Sequence, residues 1–241
     1  MIPLRDDVPN RSVPVVTIVL IALNVLVYLY EVSLGVGSRE AGGPAAAEAF
    51  LLEFGATPCR LTGACASLDD FPSPLVTVFT SMFMHSLNPM HLVGNMLYLW
   101  IFGDNVEDTL GHGRFLVFYL LAGVAAAVAQ TLTAPRSVVP MIGASGAVSG
   151  VLGAYLVLFP YASILTLVGF AFFWRFVRIP ALVMIGFWIV MQLLFGYLTV
   201  SASTRGAETG GVAWFAHIGG FLAGVVLLFL LRPPSPKSAR L

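Results

Sequence analysis

Charged side chains are scarce in this sequence. Only 10% of its 241 residues are Asp, Glu, Lys or Arg, whereas a soluble domain normally carries about 25%. The 12 basic and 12 acidic residues cancel to a formal net charge of zero, so no surface for nucleic acid is indicated. By contrast, 58% of the residues are hydrophobic. The composition therefore predicts an integral membrane protein that faces the lipid bilayer over most of its surface.

Motifs of the common cofactor and metal sites are also missing. The sequence has no GxGxxG, Walker A, HExxH or EF-hand pattern, so we expect neither a cofactor nor a metal ion. Cysteine is limited to Cys59 and Cys65. Two cysteines without a nearby histidine do not form a zinc site. They are either a local disulfide in an oxidising compartment or two unpaired thiols.

Long apolar runs are what the sequence has in abundance. Six of them have roughly 18–22 residues, about the length that a helix needs to cross the hydrocarbon core of a bilayer. The apolar part of the second run ends near Phe102, so we expect the rest of that helix to project into water. The predicted fold is an all-α polytopic membrane protein, a bundle of six transmembrane helices. We place the spans at about 13–31, 91–110, 115–133, 143–160, 178–200 and 213–231.

The spans divide the chain into a cytoplasmic N-terminus over 1–12, a helical domain over 13–231 and a disordered tail over 232–241. The longest loop runs from about 33 to 90 and lies outside. An N-in, C-in orientation follows from the positive-inside rule, because Lys and Arg concentrate on the side of the N-terminus. Eight lie on that side, Arg5, Arg11, Arg114, Arg175, Arg178, Arg232, Lys237 and Arg240, against four outside, Arg39, Arg60, Arg136 and Arg205.

Polar residues begin three of the spans at the same outer depth. The second begins "HLVGN" with His91 and Asn95, the fourth begins "GASG" with Ser145, and the sixth begins "VAWFAHIGG" with His217. Taken singly, such a serine is usually a helix cap. The histidines and the asparagine could simply form hydrogen bonds to neighbouring helices. Polar groups inside a bilayer are energetically expensive and usually functional. Their shared depth therefore favours a catalytic site.

The residue types at this depth suit nucleophilic catalysis. A serine hydroxyl needs an adjacent base, and neutral His217 could accept the proton of Ser145 if the fourth and sixth helices pack closely. Ser145 also begins a helix, where free N–H groups favour an oxyanion. No carboxylate lies at this level in any predicted span, so we expect a dyad rather than a triad.

Glycines around these residues indicate close helix packing. Gly143 gives the loop before Ser145 conformational freedom and leaves room for a substrate backbone. The fourth and sixth spans also carry small residues four apart, a spacing that lets transmembrane backbones approach each other. These packing residues are Gly146 and Gly150 on the fourth span, and Gly220 and Gly224 on the sixth.

Together these motifs resemble the rhomboid family of intramembrane serine proteases. "HLVGN" is similar to the HxxxN pattern of the family, "GASG" to its GxSG, and "AHIGGFLAG" to its final-helix histidine with spaced glycines. "RIPALVMIGFWIVMQLLFG" is similar to the fifth helix of many bacterial members. The resemblance covers about residues 75–231. It implies Ser145 as nucleophile, His217 as general base, and an oxyanion hole made by His91, Asn95 and the backbone N–H of Ser145.

The resemblance also implies the reaction, peptide hydrolysis in or near transmembrane helices of substrate proteins. Substrates would enter past the fifth helix and the 201–213 loop, in what we expect to be a bacterial cytoplasmic membrane. Two features depart from some members: Ser149 stands where they carry an aromatic residue, and their Trp–Arg pair of the first loop is missing. The alternatives are a catalytically inactive rhomboid-like protein that binds membrane clients, and a small transporter. The sequence leaves the oligomeric state open.

Overall fold

A computed structural model describes residues 1–37, 46–65, 71–170, 173–203 and 212–234. Most of the predicted tail over 232–241 and of the predicted gating loop over 201–213 lies outside these ranges. The helices are α1 (Val15–Gly37), α2 (Ala46–Phe54), α3 (Pro58–Leu61), α4 (Pro74–Thr80), α5 (Pro89–Leu110), α6 (His112–Thr133), α7 (Ser145–Leu158), α8 (Ala181–Ser203) and α9 (Trp214–Leu231). A 3₁₀ turn, Ser81–Phe83, follows α4, and the strands are β1 (Ile2–Arg5), β2 (Ser163–Phe170) and β3 (Phe173–Pro180).

Each of the six predicted spans coincides with a helix, namely α1 and α5 to α9. Four described helices are long and apolar enough to cross a membrane, over Val15–Gly35, His112–Thr133, Ala181–Ala202 and Trp214–Leu231. The helix α5 is not one of these four because polar residues lie at both of its ends. The 14 residues of α7 reach about 21 Å, less than the bilayer core of about 30 Å. The structure therefore supports four candidate membrane spans, and the count of six stays a prediction.

The prediction of an all-α fold is wrong in one respect, because the chain also forms a three-stranded antiparallel sheet in the order β1-β2-β3. The strands β2 and β3 form a hairpin that runs in register from Ser163 opposite Pro180 to Phe170 opposite Phe173. Both strands are rich in the β-branched and aromatic residues that favour extended structure. They occupy the segment that we read as a connection between the fourth and fifth spans.

The polar end of α5 does not project into water as expected. Asn105 and Glu107 are buried there, covered by the N-terminal segment of the chain. The carboxylate of Glu107 accepts hydrogen bonds from the backbone amides of Val16 and Thr17, both at 2.8 Å. These amides belong to the first turn of α1, where unpaired N–H groups and the helix dipole favour an anion. The polar end of α5 thus fixes the start of α1.

The loop between α1 and α5 contains α2, α3, α4 and the 3₁₀ turn. Within it, Cys59 and Cys65 are joined by a disulfide whose Cα atoms lie 5.2 Å apart, a usual separation for such a bond. The backbone amide of Cys59 also donates to the carbonyl of Ser137, in the segment before α7. This contact ties the loop to the end of the bundle at which α7 begins.

The helix α7 lies at the centre of the bundle. It packs against α5, α6 and α9, and every residue from Gly146 to Tyr155 is buried. The helix α1 packs on α5, whereas α8 packs chiefly on α9. Because α7 is packed between α5, α6 and α9, its first residue, the half-buried Ser145, lies among these helices.

Candidate active site

Ser145 and His217 meet across the interface between α7 and α9. The Oγ atom of Ser145 lies 2.8 Å from Nε2 of His217, within hydrogen-bond distance. Ser145 is the first residue of α7 and Ala144 is the cap residue before it. The hydroxyl of Ser145 is therefore directed at a histidine and does not serve as the helix cap. The sequence predicted both residues, and the structure brings them together.

Glycines allow α7 and α9 to approach each other closely. A Cβ atom added to Gly224 would fall on the carbonyl oxygen of Gly150, and one added to Gly220 would fall on that of Gly146. No larger side chain fits between these backbones. The four predicted packing glycines thus face one another in two pairs, each one turn from the next.

The first turn of α9 is held from a neighbouring helix. The side-chain oxygen of Gln130, on α6, accepts hydrogen bonds from the backbone amides of Phe215 and Ala216 at 3.2 and 3.3 Å. Helix N-termini leave such amides without intrahelical partners. Because His217 follows directly, Gln130 fixes the part of α9 from which the imidazole projects.

Gly143 and His91 lie beside the serine. The φ angle of Gly143 is +117°, a conformation that residues with a Cβ atom rarely adopt. A Cβ atom at this position would lie 2.8 Å from Nε2 of His91 and 3.7 Å from Oγ of Ser145. The backbone amide of Gly143 donates to the carbonyl of Ser81 at 2.9 Å. The absence of a side chain at Gly143 therefore leaves His91 open toward Ser145.

Asn95 follows His91 by one helical turn. Its Nδ2 atom lies 3.0 Å from the carbonyl oxygen of His91 and 3.2 Å from Nε2 of His85. His85, in the loop before α5, is fully buried. Burial, together with the neighbouring His91, lowers the pKa of His85 to about 4. His85 is therefore neutral and accepts a hydrogen bond from the Asn95 amide.

Most of the chain matches the model of a known protein family. Residues 72–234 match the Rhomboid domain. The chain belongs to the rhomboid family. The resemblance found in the sequence is thus confirmed at the level of the family.

Three relatives illustrate the range of the family. This rhomboid is 34% identical over 157 residues to Rhomboid-like protein 11, chloroplastic, of Arabidopsis thaliana, a match covering 63% of this chain and 51% of the relative. It is 30% identical over 161 residues to Rhomboid protein 1, mitochondrial, of Saccharomyces cerevisiae, covering 65% and 42%. With Rhomboid protease GluP of Bacillus subtilis it shares 36% over 137 residues, covering 57% and 23%. The matched region spans about half the length of these relatives or less.

Two residues that contact His217 in this rhomboid were not predicted from the sequence, and both lie on α8. The Oε1 atom of Gln192 lies 2.8 Å from Nδ1 of His217. The ring of Trp188 lies 5.9 Å from that of His217, centroid to centroid, at 37°. Ser149, on α7, stands where some family members carry an aromatic residue. In this chain the aromatic ring beside His217 comes instead from Trp188, on α8. Gln192 was detectable as a single amide in an otherwise apolar span.

The prediction that no carboxylate lies at the depth of Ser145 and His217 is wrong. The helix α1 continues beyond the predicted end at 31 to Gly37, so Glu31 lies inside it and is buried. Its two carboxylate oxygens accept from the backbone amide of His85 at 3.2 and 3.1 Å. Glu31 thus fixes the loop that carries His85, and the hydrogen bonds of Ser145 and His217 do not include it.

A cavity of about 40 Å³ opens beside Ser145. This volume is enough for a water molecule. Most of its lining comes from small residues, among them Gly123, Ala126, Ala127, Gly143, Gly146 and Ala147. Within the described part of the chain, no group of three or more His, Cys, Asp or Glu is placed to hold a metal ion.

Proposed function

We propose that this rhomboid is a serine-type intramembrane endopeptidase that hydrolyses peptide bonds in or near transmembrane helices of its substrates. The 2.8 Å contact between Oγ of Ser145 and Nε2 of His217 carries the proposal. Ser145 attacks the scissile carbonyl carbon while His217 takes the hydroxyl proton, and His217 then gives that proton to the leaving amine. Water, activated by His217, hydrolyses the acyl-enzyme and regenerates the serine.

The oxyanion of each tetrahedral intermediate needs hydrogen-bond donors. The backbone N–H of Ser145, at the start of α7, is one. His91 is a second, because the backbone amide of Ser86 donates to its Nδ1 at 3.4 Å. A neutral imidazole that accepts at Nδ1 carries its proton on Nε2, the atom that faces Gly143. The Asn95 amide is the third donor, once it exchanges one of its resting partners for the oxyanion.

The protein is a multi-pass integral membrane protein, and we propose the N-in, C-in orientation for it. In this orientation α7 runs from the outer side of the membrane toward the inner side. Because α7 is shorter than the bilayer core, its first residue does not reach the outer surface of the membrane. Ser145 therefore lies below the membrane surface, where it meets substrate helices. The small residues around the adjacent cavity suit substrates with small side chains near the cleaved bond. A bacterial cytoplasmic membrane stays a prediction, since two relatives above are named as chloroplastic and mitochondrial.

Labelling with a fluorophosphonate tests the proposal, because only an activated serine reacts with it. We expect the wild-type protein to be labelled, Ser145→Ala to be unlabelled and His217→Ala to react far more slowly. Ser33→Ala, which removes a serine of α1 bonded to the carbonyl of Tyr30, is the matched control and is expected to label normally. A folded wild-type protein that stays unlabelled would instead support the inactive, client-binding alternative.

A further inference from the structure

Gln192 is a buried amide with a partner at each end. It lies on α8 and is only 6% exposed. Its Nε2 atom donates to the carbonyl of Trp188, one turn earlier on the same helix, at 3.2 Å. Its Oε1 atom lies 2.8 Å from Nδ1 of His217 on α9. Polar groups in membrane helices are energetically expensive, and this one is placed directly behind the proposed catalytic base.

The carbonyl of Trp188 decides which way the amide of Gln192 faces. If the amide were turned over, its oxygen would face that carbonyl oxygen, and two acceptors would repel each other. The side-chain oxygen therefore faces His217 and can only accept a hydrogen bond. Nδ1 of His217 must then carry the proton, which leaves a lone pair on Nε2 for the hydroxyl of Ser145.

We propose that Gln192 is a positioning residue that holds His217 in the tautomer able to accept the proton of Ser145. This inference rests on the proposed function and extends the dyad to a row of three side chains, Ser145, His217 and Gln192. These three side chains lie on α7, α9 and α8, respectively. Gln192 itself touches neither the substrate nor the serine, and acts through the imidazole.

The hydrogen bond between Gln192 and His217 also stabilises the protonated form of His217. When Nε2 takes the proton of Ser145, the ring becomes an imidazolium whose Nδ1–H donates to Oε1 of Gln192. Hydrogen bonds from an ionised donor are roughly twice as strong as neutral ones. A neutral amide supplies this acceptor without placing a second charge among the helices, where a carboxylate would carry a desolvation penalty. The ring of Trp188 covers the imidazolium from the α8 side.

The test compares three variants of the full-length protein in liposomes with a transmembrane-helix substrate. Gln192→Met keeps the size of the side chain and removes the acceptor. Gln192→Glu keeps an acceptor oxygen at the same position. Leu193→Met changes the next residue of α8, which is half-exposed, as a control for disturbing this helix.

We expect Gln192→Met to lower kcat by about 10- to 100-fold, part of the 10²–10⁴ that a positioned general base contributes. Its KM is expected to stay near the wild-type value, because substrate contacts are unchanged. Gln192→Glu is expected to restore most of kcat and to alter its pH profile, whereas Leu193→Met should behave as wild type. A wild-type kcat in Gln192→Met would overturn the proposal, as would an equal loss in Leu193→Met.

A second readout does not depend on proteolysis. The chain has four histidines, so ¹⁵N spectra of histidine-labelled protein in lipid are simple, and the signals absent in His217→Ala identify His217. We expect only the Nδ1-protonated tautomer in the wild type and a mixture of tautomers in Gln192→Met. An unchanged tautomer in Gln192→Met would contradict the role of Gln192. If the folded wild-type protein neither cleaves the substrate nor reacts with the fluorophosphonate, the proposed function fails, while the spectra still decide the proposal about Gln192.

Discussion

Ser145, His217 and Gln192 show how single residues acquire a role from their partners. An isolated serine or histidine in an apolar helix indicates little, because caps and interhelical hydrogen bonds use the same side chains. Here the hydroxyl, the imidazole and the amide follow one another at 2.8 Å spacings. These partners fix which groups donate and which accept, so in our proposal the proton of Ser145 passes to Nε2 of His217 while Oε1 of Gln192 accepts from Nδ1–H.

Asn95 offers a test of the oxyanion site at the residue scale. We expect Asn95→Ala to lower kcat by about 10²–10³, the usual effect of losing one oxyanion donor. KM should change little, because the lost bond forms only in the transition state. Steady-state cleavage in liposomes measures both values. A mutant that raised KM without lowering kcat would show that Asn95 binds substrate and does not stabilise the oxyanion.

The sequence predicted the polar residues that begin spans, and missed those that lie inside a span or at its far end. Ser145, His217, His91 and Asn95 begin predicted spans and could be recognised there. Gln192 lies within an apolar run, and only the structure shows its contact with His217. Glu31 lay at the predicted end of the first span, so its burial depended on how far α1 continues. Contacts between distant parts of the chain cannot be read from spacing along it.

At the scale of elements, the contact between α7 and α9 places the proposed nucleophile, Ser145, beside the proposed base, His217. Helices that meet through glycine bring their backbones closer than larger residues allow. The Gly150–Gly224 and Gly146–Gly220 pairs leave no space for a Cβ atom. The spacing of Ser145 and His217 therefore depends on residues that take no part in the chemistry.

Gly224→Ala tests this dependence. The added methyl group meets the carbonyl of Gly150, so we expect the helices to separate at a cost of about 1–3 kcal/mol. The thermal midpoint in detergent and the fluorophosphonate labelling rate should both fall. Gly186→Ala on α8, where an added Cβ meets nothing within 4 Å, is the matched control. Equal labelling rates in the two variants would show that close packing does not position the pair.

Helices were more predictable than strands in this chain. A long apolar run can only be satisfied in a membrane as a helix or a closed barrel, so the positions of α1 and of α5 to α9 followed from the sequence. The segments of β2 and β3 are short, and β3 is interrupted by Arg175 and Arg178, so periodicity does not distinguish strand from loop or helix there. The pairing of β2 with β1, from the far N-terminus, brings together residues more than 150 positions apart.

At the scale of the whole molecule, the two ends of the bundle differ in character. Arg11 and Arg232 border one cavity of about 530 Å³, at the end where the N-terminal segment meets α5. The opposite end carries the disulfide loop and the Ser145 site. Arg11 and Arg232 are among the basic residues from which the N-in, C-in orientation was predicted, and that orientation stays a prediction.

Reporter fusions in a bacterial membrane test that orientation. A fluorescent protein that matures only in the cytoplasm should be active when fused after Pro234, because the end of α9 faces inward in this arrangement. Alkaline phosphatase, which folds only outside, should be active when fused after Arg136, between α6 and α7. Swapped reporters at each site serve as controls. The reverse pattern would place Ser145 toward the cytoplasm and overturn the proposed orientation.

The most direct measurement of the central claim is cleavage by purified protein in liposomes. The substrate is a transmembrane helix with small residues near its outer end, incubated with wild type and with Ser145→Ala side by side. Our account predicts cleavage by the wild type alone, because without the hydroxyl of Ser145 no acyl-enzyme can form. Equal cleavage by Ser145→Ala would contradict the account, since the hydrolysis would then proceed without the proposed nucleophile.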